Sequence, residues 1–485
     1  MAQRAQQRAR QEEAARQVAV PSETDVCVVG GGAAGLVAAI TAAEKGARVV
    51  VLERNLECGH TILATGNGRC NFANAALDPA RYNAPDFVRS VAGPSWLADV
   101  LGFFGDCGLA WEEEAEGRLY PLSRQASSVR NVLLARAARA GVTLAGGRNV
   151  AGAQRQPNGF AVRYEEVFGK PTRGKCPSCT IQAHALVLAA GGGTKLLENF
   201  DIPVSPFEPV LCPLACEGPL LKELDGRRVR VEARLMRHGA EVFRERGEVL
   251  FRPYGLSGIV VFNLSRFAQA GDELLLDLLP GMTLDEARRV SHLNASSNRG
   301  SQRLTNIERD NVRRKGRQNG LRNQQEQHRS KGTRNAWRVA TTTLDGLLDP
   351  VIAQALLSHE RDDDAALSRA KALRFHVMGP AEANRAQVTR GGFATDAFAA
   401  ATLEAYAVPG LFACGEALDV DGPCGGFNLA WAWKSGMVAG AAAIGTCGAP
   451  AAEVPAPSVP EASVAEVLVA KAAATKRGGR RSHAT

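Results

Sequence analysis

An α/β fold interrupted by a β-rich insertion follows from three features of this sequence. Residues 24–55 run from an apolar stretch ending in glycines, through an Ala-rich stretch, to a second apolar stretch ending in an acid. That order reads strand, turn, helix, strand. A comparable apolar run into glycines recurs at 183–193, "AHALVLAAGGG", and again within 409–445. Between these lies a Pro-punctuated stretch of short strand-like runs, from 202 to about 280.

The elements follow in order. Residues 1–22 are rich in Gln, Arg and Ala and read as a frayed helix or a disordered extension. Residues 23–201 read as the first part of a nucleotide-binding domain. Within it, 87–141 looks helical, most clearly at "SVRNVLLARAARAG", and 148–188 looks strand-like. Residues 202–295 read as an inserted β-rich domain leading into a helical segment. Residues 296–340 are rich in Asn, Gln, Arg and Ser and poor in large apolar side chains, so they cannot offset their ordering entropy. They read as a basic disordered insert or a gene-model artefact. Helical pattern resumes over 341–372, the first domain returns at 373–447, and 448–485 reads as a disordered tail.

At 485 residues the chain is long enough for two or three domains, and 45% hydrophobic content permits a sizeable core. The net charge of +8 is not a global property, because 299–338 holds 12 Lys and Arg against 3 acids. The remainder is close to neutral, which argues against a whole-protein nucleic-acid surface. The chain opens without the apolar core of an export signal, and Glu12 and Glu13 count against an organelle address. Scattered cysteines, 11 in all, fit a reducing compartment, so the expected location is cytoplasmic. No apolar run approaches the ~20 residues of a membrane span.

The chemistry begins at "GGGAAG", where Gly30, Gly32 and Gly35 stand at G-x-G-x-x-G spacing, with Ala34 between the last two. The first glycine permits the turn, the second lets backbone approach a pyrophosphate, and the third permits close helix–strand packing. Glu53 ends the next strand at the spacing expected of a ribose ligand, and Arg54 follows it. An acid there favours a ribose without a 2′-phosphate. This is a Rossmann-like pattern. A simple NAD dehydrogenase would continue with further βα units. Here the chain leaves and returns to a second glycine-rich loop, as a long FAD molecule requires.

The stretches "VVGGGAAGLVAAI", "ILATGNGRCNFAN", "LVLAAGGG", "YGLSG", "AQVTRGG" and "GEALDVDGPCGGFNLAWAWKSG" resemble, in order, the motifs of the bacterial BaiN/YhiN-like flavoproteins. The likeness spans about 24–295 and 344–445. It implies a Rossmann-like FAD-binding domain of the two-dinucleotide-binding-domain type, with an inserted β-rich domain and a small helical part. It also implies NAD(P)/FAD-dependent oxidoreductase activity, in some relatives reduction of conjugated enones. Two departures stand out. His60 and Thr61 occupy the place of the family's basic pair, and Arg252 and Pro253 replace a Thr and a His before "YGLSG".

Candidate cofactor contacts follow from these motifs. Gly66, Asn67, Gly68, Arg69 and Asn71 form a backbone-rich, singly basic segment. Arg69 can pair with phosphate or with an anionic flavin edge, or simply with a surface acid. Asn67 and Asn71 can meet flavin ring edges, although Asn is also favoured in turns. Gly191 and Gly192 end a strand that should pass the cofactor, and Val150 is a backbone candidate at the adenine. Gly415 and Glu416 end another strand, with Glu416 either holding a loop or touching cofactor. Gly425, Gly426 and Asn428 open a helix whose start could face the flavin O2 region. Tyr254 is the candidate proton donor, with domain packing as its plainer role. Trp431 and Trp433 read as core.

"CPSC" (Cys176, Cys179) and "CPLAC" (Cys212, Cys216) could make a four-thiolate site only with loose spacing, so no metal is expected. The expected function is hydride transfer from NAD(P)H through FAD to a small organic acceptor such as a conjugated enone. Two readings of other classes stay open. One is an RNA-associated flavoprotein gripping phosphates through 299–338, although that segment has only Trp337 for base stacking. The other is a catalytically impaired structural paralogue.

Overall fold

The computed structural model describes residues 2–168, 178–192, 196, 200–295, 342–383 and 386–446. The expected basic insert 296–340 and tail 448–485 lie outside the described residues. The chain divides into two compact units, Met1–Val210 with Ala386–Thr485, and Leu211–Arg385.

The first unit is built on a sheet of seven strands. Thr143–Gly146, Val49–Glu53, Glu23–Val29 and Ser178–Leu188 lie side by side in parallel. The N-terminal half of Ser178–Leu188 then pairs antiparallel with Gly159–Glu166, which pairs with Arg148–Gln156. Its C-terminal half pairs in parallel with Leu411–Ala413. The unbroken apolar runs Val26–Val29 and Val49–Leu52 are buried, as expected of parallel strands covered on both faces. One face receives the helices Ala33–Glu44 and Phe427–Ala443. They approach through small residues: a β-carbon on Gly436 would stand 2.5 Å from the Ala34 carbonyl oxygen, and one on Gly440 2.2 Å from that of Ala38. The second glycine-rich loop is thereby drawn to the first.

The stretch 87–141 is helical at Pro85–Ala92, Trp96–Asp106 and Ala126–Arg139. A three-stranded sheet intervenes, made of Ala73–Asn74, Trp111–Glu113 and Arg118–Pro121. Strands of two to four residues are too short to show a period, which is why the pattern missed them. Residues Ala2–Gln17 form a helix. Its end is held by Arg148, only 3% exposed, whose guanidinium donates to the carbonyls of Ala15 (2.9 Å) and Val18 (3.0 Å).

The second unit is a closed barrel, in strand order Leu214–Glu217, Gly255–Ser257, Ala240–Arg252, Arg228–Arg237, Glu273–Asp277 and Leu373–Pro380. Leu373–Pro380 closes it by pairing with Leu214–Glu217. The helices Ile259–Ser265, Pro350–His359 and Asp363–Lys371 belong to the same unit, as does a helical stretch at 284–295. The β-rich insertion is therefore a barrel, and its limits differ from those read in sequence. Val204–Val210 pairs with Val388–Phe393 in the first unit, whereas Leu373–Pro380 stays in the barrel. A short strand's sequence shows which face is apolar and says nothing of which remote strand it joins.

Candidate cofactor site at the carboxyl edge of the sheet

Four neighbouring strands end together. Gly30 N–H donates to Leu52 (2.9 Å), Ala189 N–H to Val29 (2.9 Å), and Cys414 N–H to Leu188 (3.0 Å). Ligands of open α/β sheets bind outside such carboxyl ends. Immediately beyond them lie Gly30–Gly35, Gly191–Gly192 and Gly415–Glu416.

The glycine fingerprint divides by role. A β-carbon on Gly35 would stand 1.9 Å from the Gly30 carbonyl oxygen, and one on Gly30 would meet Ala189 oxygen at 2.5 Å. These two are demanded by packing. On Gly32 a β-carbon would meet only the Thr61 hydroxyl, at 3.5 Å, so the fold itself leaves that position open. Gly32 opens the Ala33–Glu44 helix, and no side chain caps it. Its first N–H groups and partial positive charge are available to an anion. Ala34 is buried beneath the second helix.

Glu53 is 7% exposed and braces the turn: Gly31 N–H donates to Oε2 (2.7 Å), and Asn55 donates to Oε1 from its backbone (2.8 Å) and its amide (2.6 Å). Arg54 is exposed. Val150 lies in Arg148–Gln156, two residues past Gly146–Arg148, and Gly146 pairs with Glu53 across the sheet. His60 and Thr61 are exposed, so the absent basic pair leaves no buried vacancy of charge.

The segment Thr61–Gly68 is a kinked pair of turns in which Gly66, Asn67 and Gly68 take φ of +55°, +55° and +83°. Gly66 and Asn67 are exposed. Arg69 lies over the Tyr120 ring at 4.8 Å and 4.0 Å from Glu114, a surface-type pairing. Asn71 is 9% exposed, and its Oδ1 has no hydrogen-bond partner.

The second glycine-rich loop and its helix are fastened to the stretch that follows Asn71. Asn74 Nδ2 donates to the Gly425 carbonyl (2.8 Å), Tyr82 to Phe427 (2.7 Å), and Trp433 Nε1 to Phe72 (2.8 Å). Trp431 Nε1 donates to Gly415 oxygen (3.2 Å), and Gly415 N–H to Ser435 (3.0 Å). Both tryptophans are core residues that also lock backbone. Gly426 opens the Phe427–Ala443 helix at φ +97°, again without a side-chain cap. Asn428 folds onto its own loop, accepting from Gly422 N–H (2.8 Å) and donating to Gly422 (2.8 Å) and Pro423 (3.2 Å). It shapes the loop and spends its amide there.

Glu416 accepts from the backbone N–H groups of Thr389 and Gly192. Burial pushes its carboxyl up to about 7, against those two hydrogen bonds and with a smaller push from Asp421. Asp421 is fully buried and is paired bidentately with Arg390 (2.8 and 3.2 Å). Asn74, Tyr82 and the Arg390–Asp421 pair escaped sequence reading, although Asn74 and Arg390 lie inside quoted motifs. Tyr254 lies in the barrel unit, half-buried in the turn after Ala240–Arg252, and its carbonyl accepts from Cys216 N–H (3.0 Å).

A family model, the HI0933-like protein Rossmann domain, matches residues 24–442. The chain belongs to the HI0933-like family. The chain is similar to a 3-dehydro-bile acid delta(4,6)-reductase of Clostridium scindens, 30% identical over 86% of this chain and 98% of that protein. A ribosomal RNA dihydrouridine synthase of Escherichia coli is 28% identical over 85% of this chain and 96% of that one. Among solved structures, the open conformation of a flavocytochrome c3 fumarate reductase is 13% identical, with a TM-score of 0.46, over 91% of this chain and 81% of that one. The HI0933-like family is one of FAD-binding oxidoreductases. FAD suits this chain's own residues: an open Gly32, two uncapped helix starts and an orphaned buried acceptor at Asn71. Among the described residues no helix is long and apolar enough to cross a membrane, and no cluster of metal-ligating side chains occurs.

Proposed function

We propose that this protein is an FAD-dependent reductase that takes hydride from NAD(P)H and delivers it to a carbon–carbon double bond conjugated with a carbonyl. The observation that carries this reading is a pair of uncapped helix starts on parallel helices packed at Ala34–Gly436 and Ala38–Gly440, the Gly426 start standing roughly 12 Å along the axis beyond the Gly32 start. One suits a pyrophosphate, the other an electron-rich heterocycle. Gly30, Gly32, Ala34 and Gly35 would line the pyrophosphate, with Glu53, Arg54 and Val150 toward the adenosine. Gly191, Gly192, Gly415 and Glu416 would flank the middle of the cofactor. Gly66, Asn67, Gly68, Arg69 and Asn71 would approach the ring from one side, and Gly425, Gly426 and Asn428 from the other. Bound FAD supplies the hydride chemistry.

The relatives' names support the acceptor class. A delta-4 bond beside a 3-oxo group and the 5,6 bond of uridine beside its 4-carbonyl are both conjugated with a carbonyl. Reducing such a bond adds hydride to one carbon and a proton to its neighbour. We assign the proton to the Tyr254 phenol, since the His of the resembling motif is Pro253 here. The test is anaerobic bleaching of the flavin by NADH or NADPH, then reoxidation by a panel of enones. Turnover by oxygen alone would refute the reductase reading. A second reading, uridine in RNA as the acceptor, is favoured by the Escherichia coli relative. It predicts that the same reduced protein adds two hydrogens to uridines of ribosomal RNA, read by mass spectrometry.

A further inference from the structure

Asn71 carries a mismatch that the fold does not resolve. The residue is 9% exposed, and its Oδ1 is buried without a donor. Native interiors rarely leave a carboxamide oxygen unpaired, because it has given up water and received nothing. The same oxygen stands 2.9 Å from the position a β-carbon would take on Gly426. Gly426 begins a helix of 17 residues with no side-chain cap, and Ala73 oxygen closes the other side of it, 2.3 Å from that position. A fixed acceptor thus lies beside the residue that opens an uncapped helix. A phosphate or carboxylate would satisfy the helix donors and repel the acceptor. The edge of a heterocycle with a carbonyl next to an N–H satisfies both.

We propose that Asn71 is the specificity-determining residue for the flavin's pyrimidine edge, its Oδ1 accepting from N3–H while the adjacent C2 carbonyl faces the helix start at Gly426. The proposal rests on the FAD site described above. N3 keeps its hydrogen in oxidised and reduced flavin alike, so Asn71 governs affinity and orientation and not the capacity to carry hydride.

The full-length apoprotein is titrated with FAD and with N3-methyl-FAD, following flavin fluorescence. Wild type should favour FAD by roughly 5- to 150-fold, the worth of one buried unmatched group of about 1–3 kcal/mol at 1.4 kcal/mol per tenfold. Asn71→Ala removes the acceptor and makes room for the methyl group, so it should lose most of that preference. Asn71→Asp keeps an acceptor in place and should retain it. Equal binding of the two flavins by wild type overturns the proposal, as does a preference that persists in Asn71→Ala. If Asn71→Ala does not fold, a preference shared by wild type and Asn71→Asp supports the assignment, and its absence from either refutes it. Failure of wild type to bind either flavin is a separate result, which overturns the cofactor site itself.

Discussion

Replacing Gly32 and Gly35 one at a time by alanine separates ligand approach from packing. At Gly35 the new β-carbon would start 1.9 Å from the Gly30 carbonyl oxygen, and real contacts do not fall below 3.0 Å. Strand and helix must part by about 1.1 Å, through backbone that has no rotamer to yield. Overpacking of this kind costs about 1–3 kcal/mol or more, against a helix-propensity gain of about 1 kcal/mol. At Gly32 the backbone is extended (φ −80°, ψ −161°), and the only neighbour is a hydroxyl at 3.5 Å. Alanine there should leave the apoprotein unchanged or more stable by about 0.4–1 kcal/mol, through the unfolded chain. The same methyl group would hold a pyrophosphate off the helix start, and a lost charge-assisted hydrogen bond of about 1.5–3 kcal/mol weakens FAD by roughly 10- to 150-fold. Urea unfolding of the apoproteins and FAD titration by fluorescence give both numbers. If Gly32→Ala unfolds as easily as Gly35→Ala, or binds FAD like wild type, the division of roles is wrong.

Three other outcomes follow from the same geometry. Arg390→Met strands the fully buried Asp421 carboxylate and should cost about 3–5 kcal/mol in urea unfolding, with partial recovery when Asp421→Asn is added; a loss below about 1 kcal/mol would refute the pair's role. Glu416 has a folded pKa of about 7, above its ordinary value of 4.5, so between these pH values the folded chain binds the extra proton. Its contribution is therefore present below pH ~4.5 and lost as pH rises through ~7, and Glu416→Gln should flatten that part of the stability–pH curve; an unchanged slope in the variant counts against it. Burial pushes the thiols of Cys27, Cys58, Cys70, Cys216 and Cys414 up to about 12, so a thiol reagent at pH 8 should leave them unmodified in the native protein while Cys179 and Cys424, partly exposed, react before them; mass mapping of early modification at any of the five would contradict the buried assignment.

Cysteines also mark where residue type misleads. Within "CGHTILATGNGRCN" the thiols Cys58 and Cys70 are buried and inert, whereas the residue following Cys70 carries the unmatched acceptor. Glu416 accepts from the N–H groups of Thr389 and Gly192, contacts that its place after a strand end does not reveal. Asn428 closes the Gly422–Pro423 loop with its amide, so any part it plays at a cofactor is through the shape of that loop. Polar side chains of this kind can serve ligand or backbone equally well, and only the neighbours decide.

Local pattern is enough for the parts that depend on near neighbours: the glycine turn, the buried parallel strands on either side of it, the Ala-rich helix and the return at Leu411–Ala413. Those follow from spacing within a few residues, where apolar period and backbone freedom act locally. Tertiary structure alone decided that Leu373–Pro380 closes a barrel on Leu214–Glu217, and that Asn74 ties to Gly425 across 351 positions of chain. It alone set Asn71 against Gly426. The reason is physical: a pattern records which side of an element avoids water, while hydrogen-bond partners and strand neighbours are settled by whichever remote groups the packed chain brings within 3 Å.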